Sequence, residues 1–418
     1  MESELSIDSG FVKPLLATNG FQLFTGLSNN LPLTINTNRQ CRFVRFQLKG
    51  LTILNLDKIL IENAEGENLL EGAVIVVSSS FEKQTRFDGR RLIIGNPTGG
   101  VNYHSEREVD PWIVINLKQM NTVAKITVFN RNDRFFYRAM NMVVSSSNDL
   151  KSWSVFHDNY AFKLSPDYLQ LNQTQQALID CAAMDITSLS DLIDKHEKNG
   201  EKDTALALLN VANSFLHQVD LALGPHGLTQ TFEVKSEQQK NLAYSQLSQF
   251  LLELKHGFGV NAFVSSGTLL GFVRKGEFLD HDDDMDICYI SNVSSHEDIV
   301  NERKEITAFL VDKGYRVAES DVAHLWVHLS EDVQFDLFTG WIENDRCMMN
   351  PLPLPGVAAS DILPLKTLNS HGYPIMLPAK PEALMALNYG ENWEVPDPLW
   401  KFDWSHAPKL YDFLYFGK

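Results

Sequence analysis

Cysteine is scarce: the 418 residues hold four, at Cys41, Cys181, Cys288 and Cys347, with no CxxC pair and no zinc spacing. That excludes a disulfide-stapled scaffold and a thiolate zinc site, and it fits reduced thiols. Positive charge is short as well, with 36 Lys and Arg against 53 Asp and Glu, a net charge of −17 and a pI near 5.1. Phosphate polyanions therefore meet little long-range attraction, and no basic cluster offsets this, so nucleic acid is not an expected partner. No apolar run is long enough to cross a bilayer, and the opening MESELSIDSG lacks the basic-then-apolar order of a secretory leader. The expectation is a cytoplasmic chain without a transmembrane segment. Internal repeats and low-complexity stretches are also missing, which sets repeat architectures aside.

What remains is globular. Hydrophobic residues make up 44% and charged residues 21%, and the length exceeds what one ordinary core needs. Short strand-like runs broken by turn residues fill the first part: RFVRFQLKG, KILIEN, AVIVVSSS, WIVINL, AKITVFN and NMVVSSS. Helical spacing follows in DITSLSDLIDKHEKNGEKDTALALLNVANSFLHQVDLAL, interrupted by Asn199-Gly200. GPHGLTQ breaks that pattern, and an amphipathic helix then leads into the strand VNAFVSS. These changes predict a multidomain chain: an all-β sandwich over residues 12–162, a helical connector over 163–232 and an α/β domain over 233–418.

The informative stretch is VSSGTLLGFVRKGEFLDHDDDMDICYI, where Asp282, Asp283, Asp284 and Asp286 crowd beside a glycine-punctuated turn. Crowded carboxylates repel, and a divalent cation is the usual compensation; hard oxygen donors select Mg²⁺ or Mn²⁺. In an extended strand Asp284 and Asp286 would face one way and Met285 the other, so both could hold one ion. A solvated acidic turn is the plainer alternative. Two neighbours argue against it. Ser266, Gly267 and Thr268 close a strand and open a helix, an arrangement that presents a hydroxyl and backbone N–H groups to a phosphate. Asp336 lies between Phe335 and Leu337 in a β-prone run, where an unpaired charge would be costly. Asp336 either completes the cation set or accepts the proton of an attacking hydroxyl. Arg274 is placed to bind donor phosphate through its planar fork, a salt bridge to Asp282 or Asp283 being the other reading. AHLWVHLSED is expected to be a strand with His324, Trp326 and His328 on one side, although the spacing of the two histidines also suits a helical face. Cys288 reads as a small buried hydrophobe.

With these residues in view, the chain resembles the LicD/fukutin family of phosphotransferases, whose segment runs like sGTLLGavRhggfiPWDDDiDi. The likeness spans residues 238–396: GTLLG, Arg274, Gly276, DDDMDI, the DLF at Asp336 and a closing YGENWEVP segment. His281 and Asp280 stand where the family usually has Trp and Pro, at the mouth of the site. The resemblance implies a nucleotidyltransferase fold with Asp284, Asp286 and Asp336 as catalytic and metal residues, and Ser266, Gly267, Thr268, Arg274 and Asp283 around the donor. It further implies Mg²⁺- or Mn²⁺-dependent transfer of a phospho-alcohol from a nucleotide-activated donor such as a CDP-alcohol to a glycan hydroxyl, with release of CMP. A non-catalytic glycan-binding protein with a structural cation is the alternative.

Residues 39–157 resemble a discoidin or fucolectin-like jelly roll, on NRND at Asn130, Arg138, Trp112 and Trp153. Such domains often bind sugars through loop-tip Arg, His and aromatic residues, and just as often only position a neighbouring domain.

Overall fold

The computed structural model describes residues 7–25, 31–320, 323–329 and 333–415. The opening MESELS and the end of the AHLWVHLSED run therefore lie outside the described residues. Two compact units divide the chain, Met1–Leu216 and His217–Lys418.

The first unit is β-rich. Its two long strands, Leu33–Gln47 and Trp112–Phe129, pair antiparallel along most of their length. WIVINL and AKITVFN, which the sequence presents as two runs, are thus the ends of one strand. Register shifts between Asn36 and Arg39 and between Cys41 and Phe43 disrupt the ladder, the irregularity that lets so long a pair bend. Lys58–Glu62 and Val74–Val77 pair with Trp112–Phe129, while Val143–Ser147 pairs with Leu33–Gln47 and then with Ser154–Asp158. After the short helix Pro166–Leu169, three longer helices follow in the same unit: Gln173–Ala182, opened by an Asn172/Gln175 capping box, Thr187–Lys198 and Lys202–Leu216. Gly200, at φ +78°, makes the turn between the last two, a conformation that suits glycine. The helical stretch read from the sequence as a connector falls, as far as Leu216, in the same compact unit as the β-rich region.

The second unit begins with the hairpin β1 (Ala222–Gly224) and β2 (Gly227–Thr229). Next comes α1 (Glu237–Glu253), whose Ser236/Gln239 capping box ties its first turn and whose Leu247, Phe250 and Leu251 are fully buried. Then follow β3 (Asn261–Val264), α2 (Ser266–Lys275), β4 (Asp286–Ile290), α3 (His296–Asp312), β5 (Arg316–Glu319), β6 (Leu325–His328), β7 (Gln334–Glu343), β8 (Arg346–Met349) and β9 (Val357–Ala358). They form a seven-stranded mixed sheet in the order β3-β4-β7-β6-β5, with β8 on β7 and β9 on β8. β10 (Lys366–Ser370) and β11 (Tyr373–Leu377) make a separate hairpin, and α4 (Pro381–Tyr389) packs against α2.

β4 and β7 are the parallel pair, joined through α3, β5 and β6, and every residue of β4 is buried. A strand covered on both faces reads as a continuous apolar run, so a carboxylate near the head of each of these two is the exception that needs a chemical reason. No helix among the described residues is long and apolar enough to cross a membrane.

Candidate active site

The parallel register sets Asp286, the first residue of β4, opposite Asp336, the third of β7, so two carboxylates lie on one level of neighbouring strands. Asp284 lies in a bend just ahead of β4 rather than within the strand, while Met285 turns into the core as the alternation requires. One carboxylate oxygen from each of Asp284, Asp286 and Asp336 lies within 4.8 Å of the others. Burial, followed by the charges of Asp282, Asp286 and Asp336, pushes the Asp284 carboxyl well above its ordinary range. Asp286 is pushed the same way by burial, then by Asp282 and Asp336. Hard oxygen donors from all three acids, two of them destabilised as ions by burial and by their neighbours' charge, fit a small divalent cation.

The Ser-Gly turn holds one of these acids in place. The N–H of Gly267 donates to Asp286 Oδ2 at 3.0 Å, and the Asp286 N–H donates to Thr268 Oγ1 at 2.8 Å. A Cβ at position 267 would stand 2.4 Å from Asp282 Oδ2, so only glycine allows the acid loop this close. Ser266 takes φ +42°, an unusual conformation for a side-chain-bearing residue and one that costs backbone strain at the turn. Of the groups expected to face donor phosphate, the Gly267 N–H and the Thr268 hydroxyl are thus engaged with Asp286. Ser265 Oγ, one residue earlier, is buried without a hydrogen-bond partner.

Asp336 accepts from Gln334 Nε2 at 2.9 Å and has His324 Nε2 at 3.1 Å. Trp326 pairs with Asp336 across β6 and β7 and so shares its face, 38% exposed, with His328 two residues on. The stretch is therefore a strand, and its aromatic side chains border the carboxylates. Arg274 donates to the carbonyls of Trp393 and, at 3.0 Å, Val395, rather than to Asp282 or Asp283. Its position joins α2 to the segment after α4.

Asp283 differs from its neighbours. Burial raises it, but the His226 hydrogen bond and charge, Thr229 and Lys235 outweigh burial and hold it below the ordinary carboxylate range. His226 is raised in turn to about 9, chiefly by its bond to Asp283. Neither His226 nor Thr229 stood out in the sequence, because GPHGLTQ carries the signature of a breaker. Tyr389 was missed too: after burial, the charges of Asp286, Asp282 and Asp284 push its hydroxyl far upward, which places the ring beside the acids. The Tyr-Gly of the closing segment was the available signal. Cys288 and the other three cysteines are buried free thiols.

An α/β domain whose paired strands deliver buried carboxylates to a Ser-Gly turn is the class that fold and site define. Residues 259–380 match the family model described as LicD/FKTN/FKRP, nucleotidyltransferase domain. The match supports the LicD family for this part of the chain, and that family suggests a transferase handling substituted phosphate groups on glycans. Among solved structures, the chain is similar at 16% identity to the antibiotic-resistance factor ANT(2'')-Ia in solution, over 42% of this chain and 83% of that one, with a TM-score of 0.27. The crystal structure of ANT(2")-Ia in complex with adenylyl-2"-tobramycin is similar at 16% identity over 41% and 87%, with a TM-score of 0.26. Likenesses of that size carry no argument. No curated protein matches the chain.

Proposed function

We propose that the second unit is a nucleotidyltransferase-like domain that moves a phospho-alcohol from a nucleotide-activated donor, such as a CDP-alcohol, to a glycan hydroxyl and releases CMP. The observation that carries this reading is the meeting of Asp284, Asp286 and Asp336 within 4.8 Å near the heads of two buried parallel strands. Mg²⁺ or Mn²⁺ on these oxygens would neutralise charge on the diphosphate and favour in-line displacement. The chain's own residues do the rest. Gly267 and Thr268 fix Asp286, the Ser265-Ser266 turn borders the place of the donor phosphate, and Trp326 with His328 offers the acceptor a half-exposed face. Asp336 ranks first as a cation ligand and second as the base that takes the hydroxyl proton. Incubating the full chain with CDP-alcohols, GDP-sugars and CMP-linked donors tests this: CMP release that needs Mg²⁺ and disappears in EDTA is expected. Release unaffected by EDTA would sink the cation reading, and release of no nucleotide from any donor would favour a non-catalytic protein.

For the first unit the proposal is a discoidin or fucolectin-like jelly roll that docks the glycan. His104 supports it: Phe81 and Phe87 flank the imidazole at 4.7 and 5.6 Å between ring centroids, and Arg131 and Arg138 lie near enough to help burial lower its proton affinity. Guanidinium donors beside aromatic faces suit sugar hydroxyls and the apolar side of a sugar ring. Arg138→Ala is expected to abolish retention on glycan-bearing supports, and unchanged retention would leave the domain a positioning role.

A further inference from the structure

The family match begins at residue 259, yet one wall of the acidic cluster comes from ahead of it. The β1–β2 hairpin lies across the loop that carries Asp282 and Asp283. His226 Nδ1 is 2.9 Å from Asp283 Oδ1, and Thr229 Oγ1 donates to Asp283 Oδ2 at 2.9 Å. Just beyond the hairpin, Lys235 Nζ donates to the Asp283 carbonyl at 3.1 Å. The backbone N–H groups of Phe232 and Glu233 donate to the carbonyls of Asp282 and Asp280 at 2.7 and 2.8 Å. Phe232 stacks flat on Phe278 at 4.0 Å between centroids, and a Cβ at Gly224 would come within 2.9 Å of the His281 carbonyl oxygen.

The hairpin reaches chiefly Asp283, although His226 Nδ1 also lies 3.6 Å from Asp284 Oδ2. Both oxygens of the Asp283 carboxylate are engaged by the hairpin, while Asp284, Asp286 and Asp336 face one another. A loop with so many like charges, freed from its anchors, would spread until the carboxylates lay farther apart. Any cation would then have to gather them again before binding.

We infer that residues 222–235 are a built-in part of the active site, in which Thr229 and His226 hold Asp283 out of the cation set and so fix the turn that aims Asp284 and Asp286 at Asp336. This rests on the cation reading proposed above. Thr229 and His226 are positioning residues: Thr229 acts through Asp283, His226 through Asp283 and its 3.6 Å approach to Asp284, and their loss should appear in the affinity for the ion before it appears in the fold. Removing groups that orient metal ligands usually costs about 10–100-fold in affinity.

The experiment is a Mn²⁺ titration of the full chain, read by electron paramagnetic resonance of free Mn²⁺, with a cation-free thermal melt on each variant. Thr229→Val, of nearly the same shape, and His226→Ala should each weaken Mn²⁺ binding by roughly tenfold or more. Thr229→Ser, which keeps the hydroxyl, should bind like the parent. Gly224→Ala, which pushes the hairpin off the acid loop without touching a charged group, should also weaken binding and serves if Thr229→Val fails to fold. Parent-like Mn²⁺ affinity in folded variants overturns the inference alone. A parent that takes up no Mn²⁺ overturns the cation reading and this inference with it. The His226, Asp282 and Asp283 donor atoms also lie within 4.8 Å of one another. A second Mn²⁺ bound by the parent and lost only in the variants would therefore make this cluster a cation site and overturn the positioning role.

Discussion

Asp284 and Asp286 are both held at an electrostatic cost, and the sign of that cost decides what a substitution does. Their folded-state proton affinities are raised above the unfolded values, by burial first and neighbouring acids second. The stability they allow is complete below the ordinary carboxylate range and is lost as pH rises through the raised values, so without a cation the ionised pair works against the fold near neutrality. Asp284→Asn is therefore expected to melt higher than the parent at pH 7.5 in EDTA, with a smaller difference at pH 5, while nucleotide release is abolished. Thermal melts at the two pH values check this, and a variant that melts below the parent at both would show that the repulsion is relieved elsewhere. Gly267 limits the same site by space instead of charge. Its missing Cβ would stand 2.4 Å from Asp282 Oδ2, so Gly267→Ala must displace the Asp282 carboxylate and crowd that of Asp286 at 3.5 Å. Misplacement of about 1 Å costs roughly 10²-fold in rate, and a fall of that order in CMP release, with the chain still folded, is the expected outcome.

At the scale of elements, the site is a consequence of register. The parallel pairing of β4 with β7 puts Asp286 level with Asp336, and a one-residue slip would turn either side chain to the other face. If Asp336 is a ligand, Asp336→Asn weakens Mg²⁺ binding; if it is the base, affinity holds and turnover falls by roughly 10²–10⁴-fold. A Mg²⁺ titration of CMP release separates the two, and the ligand outcome is expected. Unchanged rate and metal dependence with only a lower melting temperature would reduce Asp336 to a structural carboxylate. These strands were legible in the sequence because an acid inside a β-prone apolar run, as in QFDLF and MDICYI, contradicts its own surroundings. The bend at Asp284 was not legible, since alternation alone extends the strand back through it. Nor was the joining of WIVINL and AKITVFN into one strand: the polar KQMNT between them looks like a turn, and Lys118 does take φ +67°, but the pairing with Leu33–Gln47 resumes at Asn121 across the irregularity. Arg274 and Tyr389 reach the places they hold through α2 and α4 packing together, which no local pattern encodes.

For the whole molecule, the open matter is where the second unit starts. A boundary drawn from the sequence at residue 233 follows the change from breaker to helix, whereas the division of the structure falls after Leu216. The 16 residues between, 217–232, include the hairpin and the Phe232 ring that stacks on Phe278. A fragment of residues 217–418 keeps both anchors of the Asp283 carboxylate and the Phe232 N–H bond to the Asp282 carbonyl. A fragment of residues 233–418 loses all three and leaves Asp283 in a crowded acidic loop without its hairpin partners. Each buried polar group left unpaired costs about 1–3 kcal/mol, and more when charged, so the lost contacts are a large share of a marginal domain's stability. The longer fragment is expected to give a single cooperative melt and a melting temperature that rises with Mg²⁺. The shorter one should be insoluble, or melt well below it with little response to the ion. Melts of both fragments with Mg²⁺ and with EDTA make the comparison. Equal melting temperatures and equal responses would mean that the acid loop holds its shape without the hairpin, and that the catalytic unit is complete from residue 233 onward.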